Sequence, residues 1–265
     1  MDDSSLLHVL TDIEQDSQLR QRITHWRRLP ARPARYGSFS PELDPRLLEA
    51  IGRSGIEQPY THQAQSIEST LRGKNVVIVT PTASGKTLCY NLPVIHTLLS
   101  NQGARALYLF PTKALAQDQL AELGAIQSAL GEDLHAHTYD GDTPPASRAQ
   151  IRRTARIVIS NPDMLHAGIL PHHTRWASFF RKLAFVVLDE IHTYRGIFGS
   201  QVANVLRRLK RICAFYGVEP QYICASATIA NPVELADRLT ESPFTLVGPE
   251  EDGSPQGEKH FLFYN

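Results

Sequence analysis

Gly85-Lys86-Thr87, at the end of the octet Thr80-Pro81-Thr82-Ala83-Ser84-Gly85-Lys86-Thr87, puts a permissive backbone, an ammonium and a hydroxyl side by side. That set suits a polyphosphate. Gly85 lets the main chain approach an anion, Lys86 can reach β and γ oxygens, and Thr87 can hold Mg²⁺. The first position of the G-x-x-x-x-G-K-[ST] pattern is Thr80, not glycine. A second set, Leu188-Asp189-Glu190-Ile191-His192, places two carboxylates after an apolar run. Asp189 can serve the metal, directly or through water, and Glu190 can orient and deprotonate an attacking water. Asp-Glu after a strand is common by itself. Joined to a phosphate loop, it completes one site with cradle, metal ligand and base.

The elements that would position these groups are legible around them. Asn75-Val76-Val77-Ile78-Val79 reads as a strand and Leu88 to Ser100 as a helix, so the loop's N–H groups and the helix dipole converge on one point. Strand candidates at 75–80, 106–110, 134–139, 155–160, 184–189 and 221–225 alternate with helical segments. Such alternation predicts an α/β fold, a doubly wound parallel sheet covered on both faces. In open sheets of this kind ligands bind outside the carboxyl ends of the strands. Here those ends carry Pro111-Thr112-Lys113, Asp140-Gly141-Asp142-Thr143-Pro144, Asn161-Pro162-Asp163 and Ser226-Ala227-Thr228. Proline at a first helical position, after Thr or Asn, leaves helix N-termini available to phosphates.

At 265 residues the chain suits one large α/β domain or two small ones. Basic and acidic residues are equal in number, so a nucleic-acid surface must be a local patch. No apolar run reaches membrane-spanning length, and Cys89, Cys213 and Cys224 are scattered, against zinc or a disulfide framework and in keeping with a reducing cytoplasm. Residues 1–29 read as helical, with Leu6, Leu7, Leu10 and Ile13 on one face; two prolines make 29–36 extended. That arm, with Trp26 and Tyr36, either tracks a nucleic-acid backbone or lies solvated on the domain. Thr61 is the expected N-cap of the next helix, and Gln63 either reads the edge of adenine or is an exposed helix glutamine. Helix 200–216 shows one apolar face and one basic face, the latter read as solvated, and residues 248–258 read as an exposed loop or linker.

Taken together, Gln63, TPTASGKT, PTKALAQ, YDGDTP, SNPDMLH, LDEIH and SAT resemble the motor core of superfamily 2 DEAD/H-box-type helicases. LDEIHTYRGIFGSQVANVLRRLKRI and YTHQAQSIE are similar to bacterial and fungal DNA helicases of mitomycin-type repair, RecQ-like in direction and with a C-terminal zinc-binding domain. The resemblance implies a RecA-like lobe at 56–247, an arm at 1–55 and a linker at 248–265. It implies ATP and Mg²⁺ as cofactors, held by Gln63, Thr82, Ala83, Ser84, Gly85, Lys86 and Thr87, with Thr87 and Asp189 on the metal and Glu190 on the water. Thr112, Lys113, Asp142, Thr143 and Asn161 would lie along a strand backbone, and His192, Ser226 and Thr228 would couple nucleotide state to grip. The implied partner is single-stranded DNA or a duplex with a 3′ tail, in the bacterial cytoplasm or nucleoid, with no membrane. Only about 37 residues follow Ser226-Ala227-Thr228, so the chain reads as the first lobe of a longer helicase, inactive in unwinding by itself. Two other readings stand beside it: an RNA helicase lobe of DEAD-box type, and a non-catalytic nucleotide-gated binding module. The former ends the second motif in Asp-Glu-Ala-Asp, where this chain has Ile191-His192.

Overall fold

Val76, Val77, Ile78 and Val79 form strand β2 and are all buried, as a strand sandwiched between two helix layers must be. Their side chains alternate: Val77 and Val79 join one apolar core with Leu107, Val186 and Leu206, whereas Val76 and Ile78 join another with Leu92, Tyr108 and Ile223. The computed structural model describes residues 3–265, with side chains from Leu7 onward, so Leu6 of the expected apolar face lies outside the described side chains.

In chain order the regular elements are α1 (Asp3–Gln15), α2 (Ser17–Arg22), β1 (Ile23–Leu29), α3 (Pro45–Arg53), α4 (Thr61–Leu71), β2 (Val76–Val79), α5 (Lys86–Ser100), β3 (Arg105–Leu109), α6 (Lys113–Leu130), β4 (Ala136–Thr138), α7 (Pro145–Thr154), β5 (Ile157–Ser160), α8 (Pro162–Met164), α9 (Ala177–Phe180), β6 (Leu183–Leu188), α10 (Gly196–Phe215), β7 (Gln221–Ser226), α11 (Pro232–Thr240), β8 (Thr245–Val247) and β9 (Lys259–Tyr264). Seven strands make one parallel sheet in the order β4-β5-β3-β6-β7-β2-β8. This is the doubly wound sheet expected from the alternation. The six expected strands are present, and β8, paired parallel with β2, is an addition.

Residues up to Ala34 with Ser254–Asn265 form one compact unit, and Arg35–Gly253 form the other. The larger unit therefore takes in 35–55, read with the arm, and 248–253, read with the linker. Helix α3 buries Leu47, Ala50 and Ile51.

Three sequence expectations are corrected here. Residues 23–29 are not helical: β1 pairs antiparallel with β9, and Trp26 donates from Nε1 to His260 Nδ1 at 2.9 Å. Thr61 is not the N-cap; Tyr60 is, and the Thr61 hydroxyl instead donates to the Glu251 carbonyl at 2.5 Å. Residues 248–258 are not simply exposed, because Asp252 and Ser254 are buried. The basic face of α10 behaves as a solvated face with local partners: Arg207 pairs with Glu241 at 2.6 Å, and Lys210 donates to the Glu241 carbonyl at 2.7 Å.

Candidate nucleotide site and nucleic-acid face

The turn after β2 is closed from within. Thr80 is fully buried and its hydroxyl lies 2.6 Å from that of Ser84, so the residue in place of the first glycine ties the two ends of the loop together. Ala83 and Gly85 have φ of 62° and 77°, the left-handed geometry that turns successive N–H groups toward one side. At Gly85 the conformation and the space both demand glycine, since a Cβ would fall 2.6 Å from Gln63 Nε2. Lys86, the first residue of α5, donates from Nζ to the carbonyls of Thr80 and Pro81, each at 2.9 Å. Its pKa is lowered by burial, against the opposing pull of Glu190 and Asp189. Such an ammonium gains by meeting a phosphate.

Gln63 is buried and bridges two elements. Its Oε1 accepts from Tyr60 N–H at 2.8 Å, and Nε2 donates to the Gly85 carbonyl at 2.9 Å. The exposed-glutamine alternative is thereby removed; one N–H and one lone pair remain for a ligand. Beside it opens a cleft of about 580 Å³ lined by Tyr36, Tyr60, Gln63, Ala83, Ser84 and Gly85. Tyr36 stacks on Tyr60 with centroids 5.4 Å apart and planes at 26°. Tyr36 thus belongs to this cleft and not with Trp26.

Behind Gln63, His62 is fully buried. It accepts from Gly253 N–H at 3.3 Å and lies 3.6 Å from Asp252, and burial pushes its pKa down. The 248–253 turn is therefore seated on the helix that carries Gln63.

Asp189 follows β6. Its Oδ1 accepts from Glu190 N–H at 2.7 Å and its Oδ2 from the Tyr90 hydroxyl at 2.9 Å, while burial raises its pKa. Tyr90 lies four residues after Lys86, on the same face of α5, and that spacing was the signal available in the sequence. Tyr90 also lies 3.0 Å from Gln119 Oε1, and Gln119 and Tyr108 both reach Asn91, so a buried polar network runs from Asp189 into α6. Glu190 has φ of 52°, a strained value for a non-glycine residue at a site. Its Oε2 lies 3.0 Å from His192 Nδ1. That same Nδ1 is 3.3 Å from Ala227 N–H. One ring nitrogen can donate to Glu190 or accept from Ala227, not both. Ser226 is buried and donates to the Ala227 carbonyl at 2.7 Å; Thr228 is exposed.

Among the described residues no three His, Cys, Asp or Glu side chains gather as a metal cage. A Mg²⁺ ion held by one hydroxyl, one carboxylate, phosphate oxygens and water requires no such cage, so Thr87 and Asp189 fit it. Thr82 and Ala83 are exposed on the loop.

At the other strand ends, Thr112 caps α6 by accepting from Leu115 N–H at 3.3 Å, and Asn161 caps α8 by accepting from Met164 N–H at 2.7 Å. Lys113 and Asp142 meet at 2.6 Å, both exposed. Thr143 is buried in the turn, its Oγ1 accepting from Asp140 N–H at 2.9 Å. Of the five expected track residues, Lys113 and Asp142 are the two that an ion pair joins to each other among the described residues.

Residues 60–236 match the DEAD/DEAH box helicase family. The chain belongs to that family. It is 52% identical to the uncharacterized ATP-dependent helicase YprA of Bacillus subtilis over 97% of this chain and 34% of the relative. To the ATP-dependent helicase HRQ1 of Saccharomyces cerevisiae it is 44% identical, over 92% of this chain and 23% of that one. A crystal structure of the DUF1998 helicase MrfA bound to DNA superposes with a TM-score of 0.93 at 51% identity, covering 98% of this chain and 36% of MrfA. A second MrfA structure, bound to DNA and AMPPNP, has the same TM-score of 0.93. The chain thus spans about a third of the length of YprA and MrfA, and less of HRQ1. The DEAD-box helicase Mss116, at 22% identity, shares the fold. No helix among the described residues is long and apolar enough to cross a membrane.

Proposed function

We propose that this chain is the first, ATP-binding motor lobe of an ATP-dependent 3′-to-5′ DNA helicase that acts in DNA repair. One observation carries the reading: Lys86, Asp189 and Glu190 converge at the carboxyl end of one sheet, beside the cleft lined by Gln63. In this reading the base lies by Gln63 and Tyr36, and the triphosphate takes Lys86 from the carbonyls of Thr80 and Pro81. Thr87 and Asp189 would hold Mg²⁺, which would supply charge neutralisation to the phosphates. Glu190 orients and deprotonates the attacking water. His192, by turning one nitrogen toward Glu190 or toward Ala227, passes the state of that base to the Ser226-Ala227-Thr228 segment. Thr112, Lys113, Asp142, Thr143 and Asn161 lie along the DNA backbone. DNA as the polymer is supported by the MrfA complexes and by Ile191-His192 after the carboxylate pair.

The test is nucleotide binding and hydrolysis by the full-length protein, with single-stranded DNA or RNA as stimulator. Glu190→Gln should bind ATP and lose most hydrolysis; Lys86→Ala should weaken binding itself. Stimulation by RNA alone would favour the RNA reading. Wild-type hydrolysis by Glu190→Gln, or no hydrolysis by the parent, would remove the catalytic role.

A further inference from the structure

Away from the nucleotide, a cleft of about 410 Å³ opens beside the edge strand β4, lined by Arg148, Arg152, His172, Arg175, Tyr139 and Trp176 among others, and by no aspartate or glutamate. Its floor is fixed. Tyr139 and Trp176 are buried and meet edge to face, with centroids 4.8 Å apart and planes at 86°. Arg148 is held over the Tyr139 ring at 5.4 Å and donates to the carbonyls of Thr143 at 3.0 Å and Asp140 at 3.1 Å. Arg152 donates to the Tyr139 hydroxyl at 3.3 Å. Arg175 is exposed and makes no hydrogen bond or ion pair among the described residues. With five N–H donors on each guanidinium, most of the cleft's donor capacity is unspent. The Trp176 indole N–H is buried and likewise lacks an acceptor among the described residues.

Several arginines elsewhere in the chain are neutralised locally. Arg53, Arg72 and Arg238 each pair with a glutamate one turn away on their own helices. Helix α7, Pro-Ala-Ser-Arg-Ala-Gln-Ile-Arg-Arg-Thr, has three arginines and no acid. Clustered cations repel one another unless an anion joins them. The size, the fork geometry of the donors and the absence of carboxylates suit a phosphate. One wall of the cleft, Tyr139 and Arg148, is also the back of the Asp140–Thr143 turn, so an anion bound here lies just beyond the row of strand ends.

We propose that this cleft binds backbone phosphates of the nucleic-acid strand where it leaves that row, with Arg152 and Arg175 as the contacts and Arg148 as the residue that fixes the wall. The inference rests on the reading of the chain as a DNA-binding motor lobe and adds a second grip to it.

The test compares the full-length protein with Arg152→Ala/Arg175→Ala, Arg175→Glu and Arg175→Lys by fluorescence anisotropy. Single-stranded oligonucleotides of about six and about sixteen nucleotides would be used, within the usual range of single-strand site sizes. The short oligonucleotide should bind parent and variants alike. The long one should bind the double variant roughly tenfold more weakly at low salt, with its log–log salt slope reduced by about 1.4, two contacts at about 0.7 each. Arg175→Glu, at an exposed position, should keep the parental melting temperature and lose affinity; Arg175→Lys should recover most of it. Equal affinity and slope for parent and variants at both lengths would overturn the proposal. Equal loss at both lengths would also overturn it, by placing these arginines within the track. If inorganic phosphate at constant ionic strength raises the melting temperature of the parent alone while long-oligonucleotide binding is unchanged, the cleft is a small-anion site and the proposal falls. A parent that binds neither oligonucleotide would take the functional reading down with it, whereas intact parental binding with indifferent variants sinks the cleft alone.

Discussion

A carboxylate partly withdrawn from water is stabilised by donors, and Asp189 has two, the Glu190 N–H and the Tyr90 hydroxyl. The Tyr90 hydroxyl carries one proton but faces two acceptors, Asp189 Oδ2 at 2.9 Å and Gln119 Oε1 at 3.0 Å. It can donate to only one of them. Tyr90→Phe keeps the ring and removes the donor, leaving the half-buried Asp189 one partner short. Loss of such a bond costs about 1–3 kcal/mol. The expected result is a lower melting temperature together with weaker Mg²⁺-dependent binding of a fluorescent nucleotide. Binding measured without Mg²⁺ should change little, because Lys86 and Gln63 are untouched. A variant whose Mg²⁺-dependent and Mg²⁺-free affinities fall equally would show that Tyr90 acts only on packing.

Between elements, the Lys113–Asp142 pair joins the first turn of α6 to the turn after β4. Both side chains are exposed, so solvent screening keeps the pair weak. That weakness matters for function, since a phosphate can compete for Lys113 only if Asp142 releases it easily. Lys113→Ala should weaken single-stranded DNA binding similarly across sequences and reduce the salt slope by about 0.7. Asp142→Ala should do the opposite to affinity, by freeing Lys113 and removing a negative charge from the strand's path. Anisotropy titrations at several salt concentrations check both. A sequence-selective loss in Lys113→Ala, or equal weakening by both variants, would remove the pair from the track.

For the whole molecule, the unit Arg35–Gly253 contains an apolar core on each face of its sheet, which is what an independently folding domain needs. Residues 1–265 by themselves should therefore fold cooperatively. The nucleotide cleft belongs to that unit, and no arginine is among the residues that line it. In related phosphoryl-transfer systems an arginine placed there is worth on the order of 10³–10⁵ in rate. Residues 1–265 should accordingly bind nucleotide weakly, hydrolyse it at a near-basal rate that DNA barely stimulates, and separate no duplex. A coupled ATPase assay with and without single-stranded DNA, beside a fluorescent unwinding assay, checks this; strong stimulated turnover would contradict it.

The amino-acid sequence alone determined the parts whose signals are local. The apolar run before Thr80 and the tight loop that joins it to α5 are set by neighbours a few residues away, so their spacing sufficed. The same holds for the parallel sheet, since a strand buried on both faces must be apolar throughout. Only the tertiary structure decided the pairings between distant residues. Trp26 meets His260 across 234 positions, turning an expected helix into a strand. Tyr36 stacks in the Gln63 cleft, His62 shelters under Gly253 across 191 positions, and Tyr90 finds Asp189 across 99. Thr80 takes the place of a glycine because a buried hydroxyl finds Ser84, a compensation visible only once the loop is folded. Periodicity reports which face of an element is covered, but which residue does the covering is set by how the layers pack.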